Sequence, residues 1–173
     1  MSVRARGPKR PPSPQRSTCI AVVGERDASP ELFTLAEEVG AHIARRGAIL
    51  VCGGMGGVME AASKGCALAG GLVVGVLPTD SSADANPYVS VRIATGMGEG
   101  RNIIVVRSAQ AVIAIGGSYG TLSEIAFALR LNIPVIGLRS WVFSRERAEA
   151  DPLVRVSDAK TAVEKALELA ISN

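Results

Sequence analysis

Residues 48–69 read AILVCGGMGGVMEAASKGCALA. Ala48–Cys52 is an unbroken apolar run with no polar alternation, the pattern of a strand buried on both faces of a sheet. Four glycines around Met55 then form a turn, and from Val58 to Ala69 the pattern changes to that of a helix. The same order recurs on both sides. Upstream, Cys19–Gly24 is a second buried strand. Ser29-Pro30-Glu31 is a helix start, with a cap residue, a proline at the first helical position and an acid in the first turn. Leu32, Leu35, Ala36, Val39 and Ile43 follow at helical spacing, and Gly47 closes the helix.

Downstream, strands are expected at Leu72–Leu77, Val89–Ile93, Val112–Gly116 and Pro134–Leu138. Helices are expected at Arg101–Ala109, Thr121–Leu131 and Val156–Ser172. Alternating strands and helices predict right-handed crossovers. The fold class is therefore α/β: a Rossmann-like, doubly wound, mainly parallel sheet with helices on both faces. With 173 residues the chain has room for one such domain. We expect it over residues 18–173, preceded by a disordered basic tail at residues 1–17. That tail holds Arg4, Arg6, Lys9, Arg10 and Arg16 and no acid, so the body is close to neutral although the whole chain carries +3.

Ten of the 19 glycines fall in three clusters: 53, 54, 56 and 57; 96, 98 and 100; 116, 117 and 120. Each follows an expected buried strand and precedes a helix. In a parallel sheet, strand ends of one polarity share an edge, and that edge is where open α/β folds bind ligands. Bare backbone at the start of a helix offers unpaired N–H groups and the positive end of the helix dipole, so the clusters point to a phosphorylated ligand. Neither a dinucleotide G-x-G-x-x-G in the first strand–helix turn (Gly24-Glu25-Arg26-Asp27) nor a P-loop is present. Hydride transfer with NAD and Mg-dependent nucleotide hydrolysis are thus disfavoured.

Two side chains carry chemistry beside these turns. Arg101 stands at a helix start, where its fork suits a phosphate or carboxylate; its structural alternative is an ion pair with Glu99 or Glu124. Glu124 reads in two ways. It is an acid facing the site, or it closes the capping box Thr121-Leu122-Ser123-Glu124. His42 is the only histidine, which excludes a multi-histidine metal centre within one chain, and it is expected on a solvated helix face. Cys19, Cys52 and Cys66 form no C-x-x-C pair and read as buried reduced thiols in a cytoplasmic protein. No apolar stretch is long enough to cross a membrane. Six aromatic residues are too few for a single-stranded nucleic-acid platform, so nucleic acid is not the expected partner.

The stretch Gly116-Gly117-Ser118-Tyr119-Gly120-Thr121-Leu122-Ser123-Glu124 resembles the P-G-G-x-G-T-x-x-E motif of the Lonely-guy family. Gly53-Gly54-Met55-Gly56-Gly57 resembles that family's other glycine-rich loop. The resemblance spans roughly Cys19 to Leu138. It implies a nucleotide-type ligand and a homodimer or homotetramer. It assigns ligand contacts to Gly53, Gly54, Met55, Gly56, Gly57, Arg101, Asn102, Gly116, Gly117, Ser118, Tyr119, Gly120, Thr121 and Glu124.

Many Lonely-guy proteins are phosphoribohydrolases acting on cytokinin riboside 5′-monophosphates or AMP, with a catalytic Arg and Glu that map onto Arg101 and Glu124. This chain departs from them at Gly98, Glu99, Asn102 and Ile115, which stand in place of Met, His, Lys and Pro. It is more similar to the branch that holds molybdenum cofactor carrier proteins, in which the same edge binds a pterin cofactor without chemistry. No metal ligands and no cofactor needed for folding are expected; the candidate ligands are a nucleoside monophosphate or the molybdenum cofactor. Ile103-Ile104-Val105-Val106 would cover all sides of a helix, which points to a partner subunit on its outer face or, in the alternative, to cover by the segment 139–155.

Overall fold

A computed structural model describes residues 17–144 and 151–171. The basic tail expected at residues 1–17 lies outside the described residues except for Ser17. Among the described residues there are seven strands: β1 (Cys19–Gly24), β2 (Ile49–Cys52), β3 (Val73–Leu77), β4 (Val91–Ala94), β5 (Ala111–Ile115), β6 (Val135–Leu138) and β7 (Val154–Val156). Five α-helices accompany them: α1 (Pro30–Arg45), α2 (Val58–Leu68), α3 (Asn102–Arg107), α4 (Tyr119–Arg130) and α5 (Ala159–Ile171).

The strands form one parallel sheet in the order β4-β3-β2-β1-β5-β6-β7. The chain winds outward from β1 through β2, β3 and β4, then returns to lay β5 against the other side of β1. The order therefore reverses between β1 and β5, which opens a crevice at their carboxyl ends. Alternation along the buried strands splits the core in two. Ile20, Val22, Ile113 and Ile115 face α1, α2 and α5, whereas Ala21, Val23, Val112 and Ala114 face α3 and α4. The expected Rossmann-like α/β architecture is present, with helices on both faces.

Local chemistry explains the element ends. Ser29 Oγ accepts from the Leu32 amide at 3.3 Å and caps α1, with Pro30 at its first position. The helix stops in a Schellman motif, in which Gly47 N–H donates to Ala44 O and Ala48 N–H to Ile43 O at 2.9 and 3.2 Å. α1 and α2 cross at backbone contact. A Cβ on Gly40 would lie 1.9 Å from Ala62 O, and one on Gly65 would lie 1.9 Å from Glu37 O. Only glycine fits either position.

Several sequence expectations need correction. The helix expected at Arg101–Ala109 is a 3₁₀ turn, Gly98–Arg101, followed by the six-residue α3. Only Val105 and Val106 of its apolar run are fully buried; Ile103 and Ile104 are half-buried. β7 is not expected from the sequence, since three residues of mixed polarity carry no strand signal; its last residue, Val156, falls at the start of the expected closing helix, which begins instead at Ala159. β4 is an edge strand with all four residues exposed, not a buried one. Cys52 and Cys66 are buried thiols, but Cys19 is half-buried because it begins its strand. His42, expected to be solvated, is half-buried in the last turn of α1.

Candidate functional site

At the crevice between β1 and β5 lies a cavity of about 250 Å³ lined by Gly24, Arg26, Met59, Glu99, Arg101, Asn102, Ser118, Gly120, Thr121 and Glu124. Each side chain reaches it by a short route from a strand end. Gly24 closes β1, Arg101 ends the 3₁₀ turn after β4, and Ser118 is the N-cap of α4 after β5.

Arg101 is only 6% exposed. Its Nη1 donates to Asn102 Oδ1 and lies 3.7 Å from Glu124 Oε1; its Nη2 donates to Gly53 O at 3.5 Å. Its Nε is buried and has no acceptor among the described residues. Leaving a charged donor unsatisfied in the interior costs on the order of 1–3 kcal/mol or more. Asn102 is held by both ends. Its Nδ2 donates to Glu99 Oε2 at 3.3 Å and to Ser123 Oγ at 3.1 Å, and Ser123 Oγ donates to Gly120 O at 2.7 Å.

Glu124 is also 6% exposed. Burial pushes its carboxyl up to about 8, the nearby Arg101 guanidinium pulls it down, and Glu99 raises it. Near neutral pH it is mainly a neutral acid that can donate a hydrogen bond without repelling an anion. The capping-box alternative does not hold. α4 begins at Tyr119 rather than after Thr121, and the Glu124 carboxyl faces Arg101.

Two of the helices that start at this rim have uncapped N-termini. Ser118 and Gly57 make no side-chain cap to α4 and α2, in contrast to Ser29 on α1. Gly57 sits at φ +65°, and a Cβ there would meet Arg26 O at 2.1 Å. The amide end of α4 is thus open to an anion, whereas the first amide of α2, Val58 N–H, already donates to Glu25 O at 3.0 Å.

Of the residues singled out from sequence, Arg101, Asn102, Ser118, Gly120, Thr121 and Glu124 line this cavity. Gly116 and Gly117 line a smaller one with Arg139, Ser140 and Trp141. Tyr119 is 82% exposed, with its ring 6.0 Å from that of Trp141. Gly53 packs on the Arg101 guanidinium, while Gly54, Met55, Gly56 and Gly57 continue behind it without lining the cavity. Gly24, Arg26, Met59 and Glu99 line the cavity without having been singled out as ligand contacts, Glu99 having been named only as a possible partner of Arg101. The signal for Gly24 and Arg26 was topological: whatever follows the first strand of a doubly wound sheet sits at its centre.

Fold and crevice place the molecule among Rossmann-like α/β proteins. The chain belongs to the SLOG cluster4 family, whose model matches residues 17–166. It is 46% identical over 120 residues to an uncharacterized protein of Archaeoglobus fulgidus, covering 69% of this chain and 79% of the relative. Among solved structures it is similar to the molybdenum cofactor binding protein of Rippkaea orientalis, with TM-score 0.80 and 34% identity over 91% of this chain and 99% of that one. It is also similar to the molybdenum cofactor carrier protein of Chlamydomonas reinhardtii, with TM-score 0.78 and 31% identity over 91% and 100%. The branch suggested by the sequence motifs is the one these structures represent.

Proposed function

We propose that the chain binds a phosphorylated small molecule, a nucleoside monophosphate or a pterin-type cofactor such as the molybdenum cofactor, and carries it without turning it over. The observation that carries this reading is the buried Arg101, which lines the cavity beside the uncapped N-terminus of α4. A phosphate between Arg101 and the α4 N-terminus would meet the guanidinium charge and the open amides together. The neutral Glu124 would donate to it. Similarity to proteins described as molybdenum cofactor carriers supports the pterin arm. Gly53, Gly54, Met55, Gly56 and Gly57 would support the ligand from behind Arg101. Gly116, Gly117 and Tyr119 would flank it, with Asn102, Ser118, Gly120 and Thr121 in contact.

The alternative is hydrolysis of AMP-type monophosphates, favoured by the Arg101–Glu124 pair at 3.7 Å. There Arg101 would hold the substrate and an ionised Glu124 would stabilise positive charge on the ribose. A carboxyl that is neutral at pH 7 works against that role. Incubation with AMP and isopentenyladenosine 5′-monophosphate decides between them. A carrier releases no free base and copurifies with a phosphorylated ligand visible by mass spectrometry. Base release that disappears in Glu124→Gln means a hydrolase.

The protein acts in the cytoplasm as a homodimer or homotetramer on this reading, supported by the half-buried Ile103 and Ile104 and the exposed Val91 and Ile93. Light scattering on the purified protein tests the assembly. Among the described residues no helix is long and apolar enough to cross a membrane.

A further inference from the structure

We infer that Asn86, on the connection between β3 and β4, is a positioning residue that sets the geometry of the Gly53–Gly57 loop and, through Gly53, of Arg101. Asn86 is 7% exposed although it lies in a polar loop. Its backbone N–H donates to Gly54 O at 2.9 Å, and its Nδ2 donates to Met55 O at 3.0 Å and to Ser63 Oγ at 3.5 Å. Its Oδ1 accepts from the Tyr88 amide at 3.1 Å, which fixes the side chain itself.

Two successive carbonyls of the glycine loop, Gly54 and Met55, are therefore held by one residue 32 and 31 positions away. Glycine-rich backbone has the most freedom to lose, so a loop of this kind is rigid only where something else fixes it. The same latch closes over Cys52. The Gly54 amide donates to Cys52 Sγ at 3.3 Å, and Cys52 Sγ lies 3.5 Å from Ser63 Oγ. Gly53, next in the chain, accepts from Arg101. Release of Met55 would thus be felt both at a buried thiol and at the guanidinium.

The ligand part of this inference rests on the binding function proposed above; the latch does not. Asn86→Asp separates the two. It keeps the acceptor for Tyr88 and the backbone donor to Gly54 O, but replaces the donor to Met55 O by a repelling oxygen. The expected result is labelling of Cys52 by a thiol reagent about tenfold faster, with Cys66 unchanged, and AMP affinity about tenfold weaker. Peptide mass spectrometry assigns each cysteine, and Asn86→Ala, which also loses the Tyr88 contact, should show both effects more strongly. The inference is overturned if Cys52 and Cys66 accelerate together, if neither changes, or if Cys52 alone accelerates while AMP affinity holds. If the unaltered protein binds neither AMP nor a pterin phosphate but Cys52 responds selectively, the latch stands and the binding function falls.

Discussion

Replacing Glu124 by Gln isolates one buried carboxyl whose protonation is coupled to folding. In the folded chain burial raises this group to about 8, from an ordinary value of 4.5. Between those values the folded protein holds a proton that the unfolded chain has released. The stability linked to this group is fully present below about pH 4.5, declines as pH rises, and is lost once pH passes about 8. Each unit of difference is worth about 1.4 kcal/mol, so the whole window amounts to a few kcal/mol. Gln has nearly the same shape and cannot ionise. Other titrating groups are common to both proteins and cancel in the difference. Urea unfolding of the two proteins from pH 5 to 9 should therefore give nearly equal stability at pH 5. The advantage of Glu124→Gln should then grow by roughly 1 kcal/mol per unit toward pH 8 and level off above it. A difference that is constant with pH, or a variant that is less stable at pH 8, would refute the assignment of a neutral Glu124.

Gly40→Ala should cost about 3 kcal/mol or more by chemical denaturation. The helix-propensity gain of about 1 kcal/mol cannot offset a Cβ placed 1.9 Å from Ala62 O across the α1–α2 crossing. Ser29→Ala should cost about 1 kcal/mol by removing the α1 cap, with ligand affinity unchanged because the cap lies away from the cavity. Trp141→Phe should lower stability by roughly 1 kcal/mol, since it removes the indole N–H donor to Ser118 O.

The central sheet was legible because its inner strands are apolar on both faces. Ile20–Val23 and Ala111–Ile115 admit no other reading, and the glycine clusters mark where each strand turns into the next helix. The α1 boundaries were legible from Ser29, Pro30 and Gly47 alone. β7 was not, because a short edge strand is decided by its neighbour β6 rather than by its own residues. The site was partly legible. Arg101 and Glu124 stood out by motif, but their pairing, and the exclusion of Glu124 from a cap, depend on α4 starting two residues earlier than its sequence suggests. Arg26 and Met59 carry no local pattern and reach the cavity only through the winding order of the sheet. Asn86 reads as one more polar loop residue until its partners 31 and 32 positions earlier are known.

Phosphate recognition by the buried Arg101 and the open amide end of α4 is the central claim. Its most direct test is calorimetric titration of the protein, and of Arg101→Gln, with AMP and with adenosine. The unaltered protein should bind AMP at least about a hundredfold more tightly than adenosine, and the variant should lose most of that preference, in line with roughly 1.5–3 kcal/mol for a charge-assisted contact plus the contribution of the helix end. Equal affinity for the two compounds, or an undiminished preference for AMP in Arg101→Gln, would contradict it.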